Sequence, residues 1–101
     1  MNLNVHTVHF TADEKLIEMI TDKSKKLYTF NDKITSIDVY LKLDGSQYIK
    51  DKTVEIKVNI PHNQIFIKET SKTFEESFST ALNSSINKLK KKNHKLFSYY
   101  Y

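Results

Sequence analysis

Apolar and polar positions recur with clear periods along most of this chain, and the period changes at a few sharp points. Asn2 to Phe10 reads as a strand with Leu3 and Val5 on one face. The apolar phase then slips to Val8 and Phe10, which predicts that the strand ends or bulges near Thr7. Thr11 followed by Glu14 matches a capping box, in which each side chain satisfies a free backbone N–H. A helix is therefore expected from about Ala12 to Tyr28. Leu16, Ile20 and Leu27 fall in a narrow sector of its wheel, with Ile17 and Ser24 beside them. That sector is the expected buried stripe.

Asn31 and Asp32 break the helical period, and strict alternation follows. Ile37, Val39, Leu41 and Leu43 point one way, while Asp38, Tyr40 and Lys42 point the other. The polar stretch Asp44 to Lys52 contains Asp44-Gly45 and reads as a loose hairpin connection. Val54, Ile56, Val58 and Ile60 form the next strand, with Glu55, Lys57 and Asn59 outward. Pro61-His62-Asn63 predicts a tight turn into a last strand with Ile65 and Ile67 inward. One apolar face per strand is the pattern of an antiparallel meander covered on one side.

Helical period returns at Thr73, an expected N-cap, with Glu75 and Glu76 in the first turn. Phe74, Phe78, Leu82, Ser85, Ile86 and Leu89 make the stripe of a helix ending near Lys95. The element order is β-α-β-β-β-α. Two amphipathic helices and a four-stranded sheet with one apolar face predict an α+β fold, a two-layer sandwich with both helices on one face. In outline it is double-stranded-RNA-binding-domain-like. Residues 1–95 are expected to form a single domain, and 96–101 a short C-terminal tail.

Composition narrows the function. The 101 residues include no Cys, one Gly and one Pro. The absence of Cys excludes a disulfide scaffold, a thiolate metal site and a thiol nucleophile. One glycine cannot build a P-loop or another Gly-rich phosphate cradle, and G-x-S-x-G is missing. Apolar runs of two or three residues predict no membrane span, and no signal peptide is expected ahead of the first strand. A cytoplasmic protein is the expectation. Lys and Arg together number 16 against 12 acidic residues, for a net charge of +4, and every cation is Lys. Lysine is a point charge without the bidentate fork that reads guanine edges, so any anion is bound through charge and shape.

The lysines are ordered. Lys88, Lys91 and Lys95 project opposite the Phe78–Leu82–Leu89 stripe, with Lys92 on their flank and Lys90 on the other. On the first helix Lys15, Lys23 and Lys26 share a flank that Glu14 and Glu18 do not. Two basic ridges on neighbouring helices suit a phosphate backbone, because each neutralised phosphate releases counterions. The plainer account is that Lys near a helix C-terminus complements the macrodipole and exposed faces are routinely charged.

Other candidates carry less. His6 and His9 read as H-x-x-H, but on a strand that spacing puts them on opposite faces, unlike paired ligands on a helix. His62 sits in a turn and His94 near a helix end. Asp44 and Asp51 have no base or nucleophile beside them. No metal and no cofactor is expected. Tyr40 and Phe66 lie on the open sheet face, where they could stack on bases or on a partner, or serve strand packing alone.

The run Lys26-Leu27-Tyr28-Thr29-Phe30-Asn31-Asp32-Lys33-Ile34-Thr35-Ser36-Ile37-Asp38-Val39 resembles the helix-to-strand passage of the ribosome hibernation-promoting factor family. That family includes the ribosome-associated translation inhibitor and the proteins once called sigma-54 modulators. Val54-Glu55-Ile56-Lys57-Val58-Asn59-Ile60-Pro61, Lys72-Thr73-Phe74-Glu75-Glu76 and Lys88-Leu89-Lys90-Lys91-Lys92 match in the same order. The resemblance covers residues 2 to 95, and its co-linearity rather than any one motif carries it. It implies the same β-α-β-β-β-α fold and no enzymatic activity. It also implies a factor that enters the small (30S) ribosomal subunit in starvation or stationary phase. There it would occupy the channel for mRNA and the anticodon ends of tRNA, held by basic helix residues against rRNA.

Lys23, Lys26, Lys90 and Lys91 are the matching basic positions, and the helical wheel adds Lys88, Lys92 and Lys95. Thr29 stands where relatives often carry a basic residue, and Ser84-Ser85 replaces a common Lys-Leu pair. Ser85 is expected to weaken the core stripe. The chain resembles a short form, without the further C-terminal domain of long relatives. The alternatives are a general RNA-binding or RNA-chaperone domain, a protein–protein module around Tyr40 and Phe66, and, distantly, a small hydrolase. The free protein is expected to be a monomer.

Overall fold

The computed structural model describes residues 2–45 and 50–98, with the side chains of 44, 45, 50 and 92–98 outside the description. Three of its four strands alternate as the sequence does. β1 (Leu3–Val8), β2 (Ser36–Gly45), β3 (Lys50–Ile60) and β4 (Asn63–Ser71) lie side by side in chain order. β1 runs parallel to β2, and the remaining pairs are antiparallel. A parallel pair requires a crossover, which α1 (Glu14–Ser24) supplies. The short α2 (Leu27–Phe30) follows it, and α3 (Phe74–Ser98) closes the chain.

One face of the sheet is dry. Ile37, Val39, Leu41, Val54, Ile56 and Val58 are fully buried, with Ile65 and Ile67 nearly so. Ile20, Leu27, Phe78, Leu82 and Leu89 cover them from the helix layer. Burying a side chain of this size stabilises by roughly 1.5–3 kcal/mol before entropy is counted. Ser77, Ala81 and Ser85 sit among these residues on α3, also buried. Their small size lets α3 approach the sheet, and Ser77 Oγ donates to the Lys52 carbonyl of β3 at 2.6 Å. Ser85 does interrupt the apolar stripe, but its hydroxyl donates to the Ala81 carbonyl at 2.9 Å.

Several boundaries differ from the expected ones. β1 keeps its register with β2 through Val8, so there is no bulge at Thr7. The phase slip marks the exit instead: His9 takes φ 63° and swings Phe10 round to stack on Phe74, centroids 5.2 Å apart. The cap of α1 is Asp13, not Thr11, and its carboxylate accepts the Lys15 N–H at 3.3 Å. Residues 9–12 are spent climbing from the sheet to the helix layer. The expected single helix to Tyr28 is broken at Lys25–Lys26, where backbone bonds tighten to i→i+3, as from Lys26 N–H to the Lys23 carbonyl. Three residues per turn brings Ser24 and Leu27 onto the same side, and both are fully buried.

Strand pairing also outruns the apolar alternation. Asp44 pairs with Asp51 and Gly45 with Lys50, leaving only 46–49, outside the described residues, between the strands. The Pro61-His62 turn is as tight as expected, with Ile60 opposite Asn63. Proline first and φ 66° at His62 is the type II pattern, and His tolerates that region better than most residues. Thr73 caps α3 as expected, its hydroxyl accepting the Glu76 N–H at 3.1 Å. α3 runs on to Ser98. Among the described residues no helix is long and apolar enough to cross a membrane.

Candidate nucleic-acid interface

The helix layer is electrically polarised because both long helices begin at the same end. Phe10, just ahead of α1, stacks on Phe74 at the start of α3. Asp13, Lys15, Leu16, Met19 and Glu75 line a shallow groove between the two first turns. Asp13, Glu14, Glu75 and Glu76 complement the positive helix ends there. Lys15 belongs to this acidic end. It therefore does not join Lys23 and Lys26, which lie roughly 12–16 Å further along at 1.5 Å per residue.

The opposite end is basic. Lys23 lies in α1's last turn, and Lys26 lies in the tightened turn before α2; both side chains are exposed. α2 packs on α3. There the Lys90 amine stands 5.6 Å from the centroid of the Phe30 ring, a cation–π contact. This contact ties the lysine-rich stretch of α3 to the chain just after Lys26. Lys88, Lys90 and Lys91 are all exposed. The side chains of Lys92 and Lys95 lie outside the described residues, although their backbone continues α3.

Two neighbours shape this end. Asp22 pairs with Lys25 across 3.8 Å on one helical step, so its charge is directed to Lys25. Thr29 is exposed and donates its hydroxyl to the Lys26 carbonyl at 2.6 Å. It braces the turn that presents Lys26. Phe30 is the feature of this end that sequence reasoning missed. No spacing rule connects residues 30 and 90, because only packing of α2 on α3 brings them together.

The other candidates fall elsewhere. His6 and Tyr40, paired in register, stack on the open sheet face with centroids 4.7 Å apart, and His6 Nε2 lies 3.1 Å from Asp38. His9 is far from a ligand arrangement, and among the described residues no cluster of His, Asp or Glu could hold a metal. Tyr28 donates its hydroxyl to the Asn2 carbonyl at 2.5 Å; desolvation raises its pKa, with Asp38 adding in the same direction. It fastens α2 to the start of β1. What the basic end can do chemically is bind polyanions through charge and shape.

The family model described as sigma 54 modulation protein / S30EA ribosomal protein matches residues 3–96. No curated protein matches the chain. Among solved structures, a ribosomal subunit interface protein from Coxiella burnetii superposes with a TM-score of 0.76 at 18% identity, covering 93% of this chain and 99% of that one. The N-terminal domain of Protein Y from Thermus thermophilus gives 0.76 and 18%, covering 90% and 98%. At such identity the likeness is one of fold.

Proposed function

Because the chain belongs to the sigma 54 modulation protein / S30EA ribosomal protein family, whose members bind ribosomes and are not enzymes, we propose that it silences ribosomes by occupying the decoding channel. Ribosome association itself follows from membership. The finer reading places it in the small subunit under starvation or stationary phase, in the cytoplasm, where mRNA and tRNA would otherwise sit. Residues 1–95 act as the binding unit. Lys23, Lys26, Lys88, Lys90 and Lys91 meet rRNA phosphates, with Lys92 and Lys95 extending the same segment.

The observation that carries this reading is the polarity of the helix layer. Its basic end gathers exposed lysines from two helices, while its acidic end would be repelled by RNA and so orients the protein. Folded RNA is recognised by shape and phosphate, which suits a surface of lysines alone.

Occlusion has a direct consequence: the protein must compete with mRNA and initiator tRNA for the same volume. Added to a purified translation system, it is expected to lower output, and excess mRNA with initiator tRNA is expected to restore it. Inhibition that persists at saturating competitors would place the protein at another site.

A further inference from the structure

We infer that the sheet face left uncovered by the helices binds single-stranded RNA, with Phe66 as a stacking platform for a base and Lys57 and Lys68 as phosphate partners. This site lies on the other side of the sheet from the helix interface, and the inference does not depend on the decoding-channel reading.

The starting point is Phe66. It is the exposed large hydrophobic side chain among the described residues, at 46% of its full accessibility. The core does not need it, since Ile65 and Ile67 on either side supply β4's buried contacts. It sits in mid-strand, opposite Lys57 on β3, and Lys68 follows two residues later on the same face. A flat ring is thus flanked by two cations.

Charge decides the kind of ligand. Both carboxylates near the centre of this face are engaged: Asp38 with His6 at 3.1 Å and Glu55 with Lys42 at 3.1 Å. Among the described residues, neither Lys57 nor Lys68 has an ion-pair partner. What the face offers outward is therefore one aromatic ring and two lysines without an ion-pair partner among the described residues, of which Lys57 also rests over the Tyr40 ring. A lone ring amid charges is too small an apolar patch to anchor a protein. It matches a polyanion whose own groups are flat, because every base has a π-face and every nucleotide a phosphate.

The other aromatic residue of this face, Tyr40, is already covered. The Lys57 amine also stands 5.7 Å from the Tyr40 centroid, and His6 stacks on that ring from β1. Tyr40 and Phe66 are two strands apart and two residues out of step, roughly 12 Å at ordinary strand spacing. Tyr40 is therefore already held between His6 and Lys57, and Phe66 is the ring on which a base can rest. Lysine lacks arginine's planar fork, and stacking accepts any base, so binding here depends on an accessible base and a phosphate more than on sequence.

The test uses the full chain carrying Lys90→Gln and Lys91→Gln, so that the helix end contributes less. Two fluorescein-labelled probes are titrated by anisotropy: a uridylate dodecamer and an abasic ribose-phosphate strand of equal length. Phe66→Ala is expected to weaken uridylate binding roughly 5- to 100-fold while abasic binding changes by less than about twofold. Phe66→Tyr, which keeps the ring, is expected to bind as the parent does. Lys57→Gln with Lys68→Gln should weaken both probes and flatten their salt dependence. Circular dichroism checks that each variant is folded, and Phe66 is exposed enough for the exchange to be tolerated. Unchanged uridylate affinity in Phe66→Ala, or equal loss on both probes, overturns the inference. So does a Phe66→Ala variant that keeps oligonucleotide affinity yet no longer co-sediments with ribosomes, since the face would then belong to a protein contact.

Discussion

Ser24 closes α1 with its side chain fully buried, and its Oγ has no hydrogen-bond partner among the described residues. Other buried or half-buried hydroxyls of the helices solve the same problem by bonding back one turn, as Thr21 does to Ile17 and Ser85 to Ala81. An unsatisfied buried hydroxyl costs on the order of 1–3 kcal/mol. Alanine removes that cost, adds helix propensity and leaves only a small void. Ser24→Ala is therefore expected to stabilise the fold by about 1 kcal/mol and raise Tm by roughly 4–8 °C. Thermal unfolding followed by circular dichroism measures it, and a lowered Tm would mean that the hydroxyl is satisfied in solution. The place of Ser24 beside the buried stripe was legible in its spacing. Its missing partner was not, because that depends on rotamer and on neighbours distant in sequence. Phe30 is a similar case, an aromatic whose role is set by a lysine 60 positions away.

At the level of elements, most of the sequence signals in which a repeating period faced a core held, the break between α1 and α2 being the exception. The order of strands and helices, the inward residues of β2 to β4 and the Thr73 cap all follow from such local patterns. The boundaries that moved are those where backbone hydrogen bonding or chain geometry overrode side-chain pattern. β2 and β3 extend to Gly45 and Lys50 because a ladder bonds polar and apolar residues alike. The α1–α2 break is hidden from a helical wheel because Ser24 and Leu27 stay inward in either geometry. The basic segments were legible as residues, whereas their meeting required the packing of α2 on α3. For α3 the prediction is electrostatic. If Lys88, Lys91 and Lys95 each neutralise one phosphate, replacing all three by Gln should flatten the log–log salt dependence of ribosome binding by roughly 2–3. The circular dichroism spectrum should stay native, since Lys88 and Lys91 are exposed. An unchanged slope would remove this part of α3 from the interface.

For the whole molecule the question is whether free copies associate. The apolar side of the sheet is closed by its own helices: Ile20, Leu27, Phe78, Leu82 and Leu89 leave Val39, Leu41, Val54, Ile56 and Val58 no accessible area. The open side carries Asp38, Lys42, Glu55, Lys57 and Lys68 around Tyr40, with Phe66 as its exposed large apolar group. Obligate interfaces are depleted of charge at their centre, and this face has its charges there. The net charge of +4 adds mild repulsion between copies. We therefore expect a monomer near physiological salt, so that any pairing of ribosomes would arise on the ribosome rather than be carried in by a dimeric factor. Light scattering at micromolar concentration is the measurement, with a mass of 11.9 kDa as the expected value. A dimer mass that persists on dilution would overturn this. The edges β1 and β4 would then be the first places to look, because the central strands have no free backbone groups to offer a second copy.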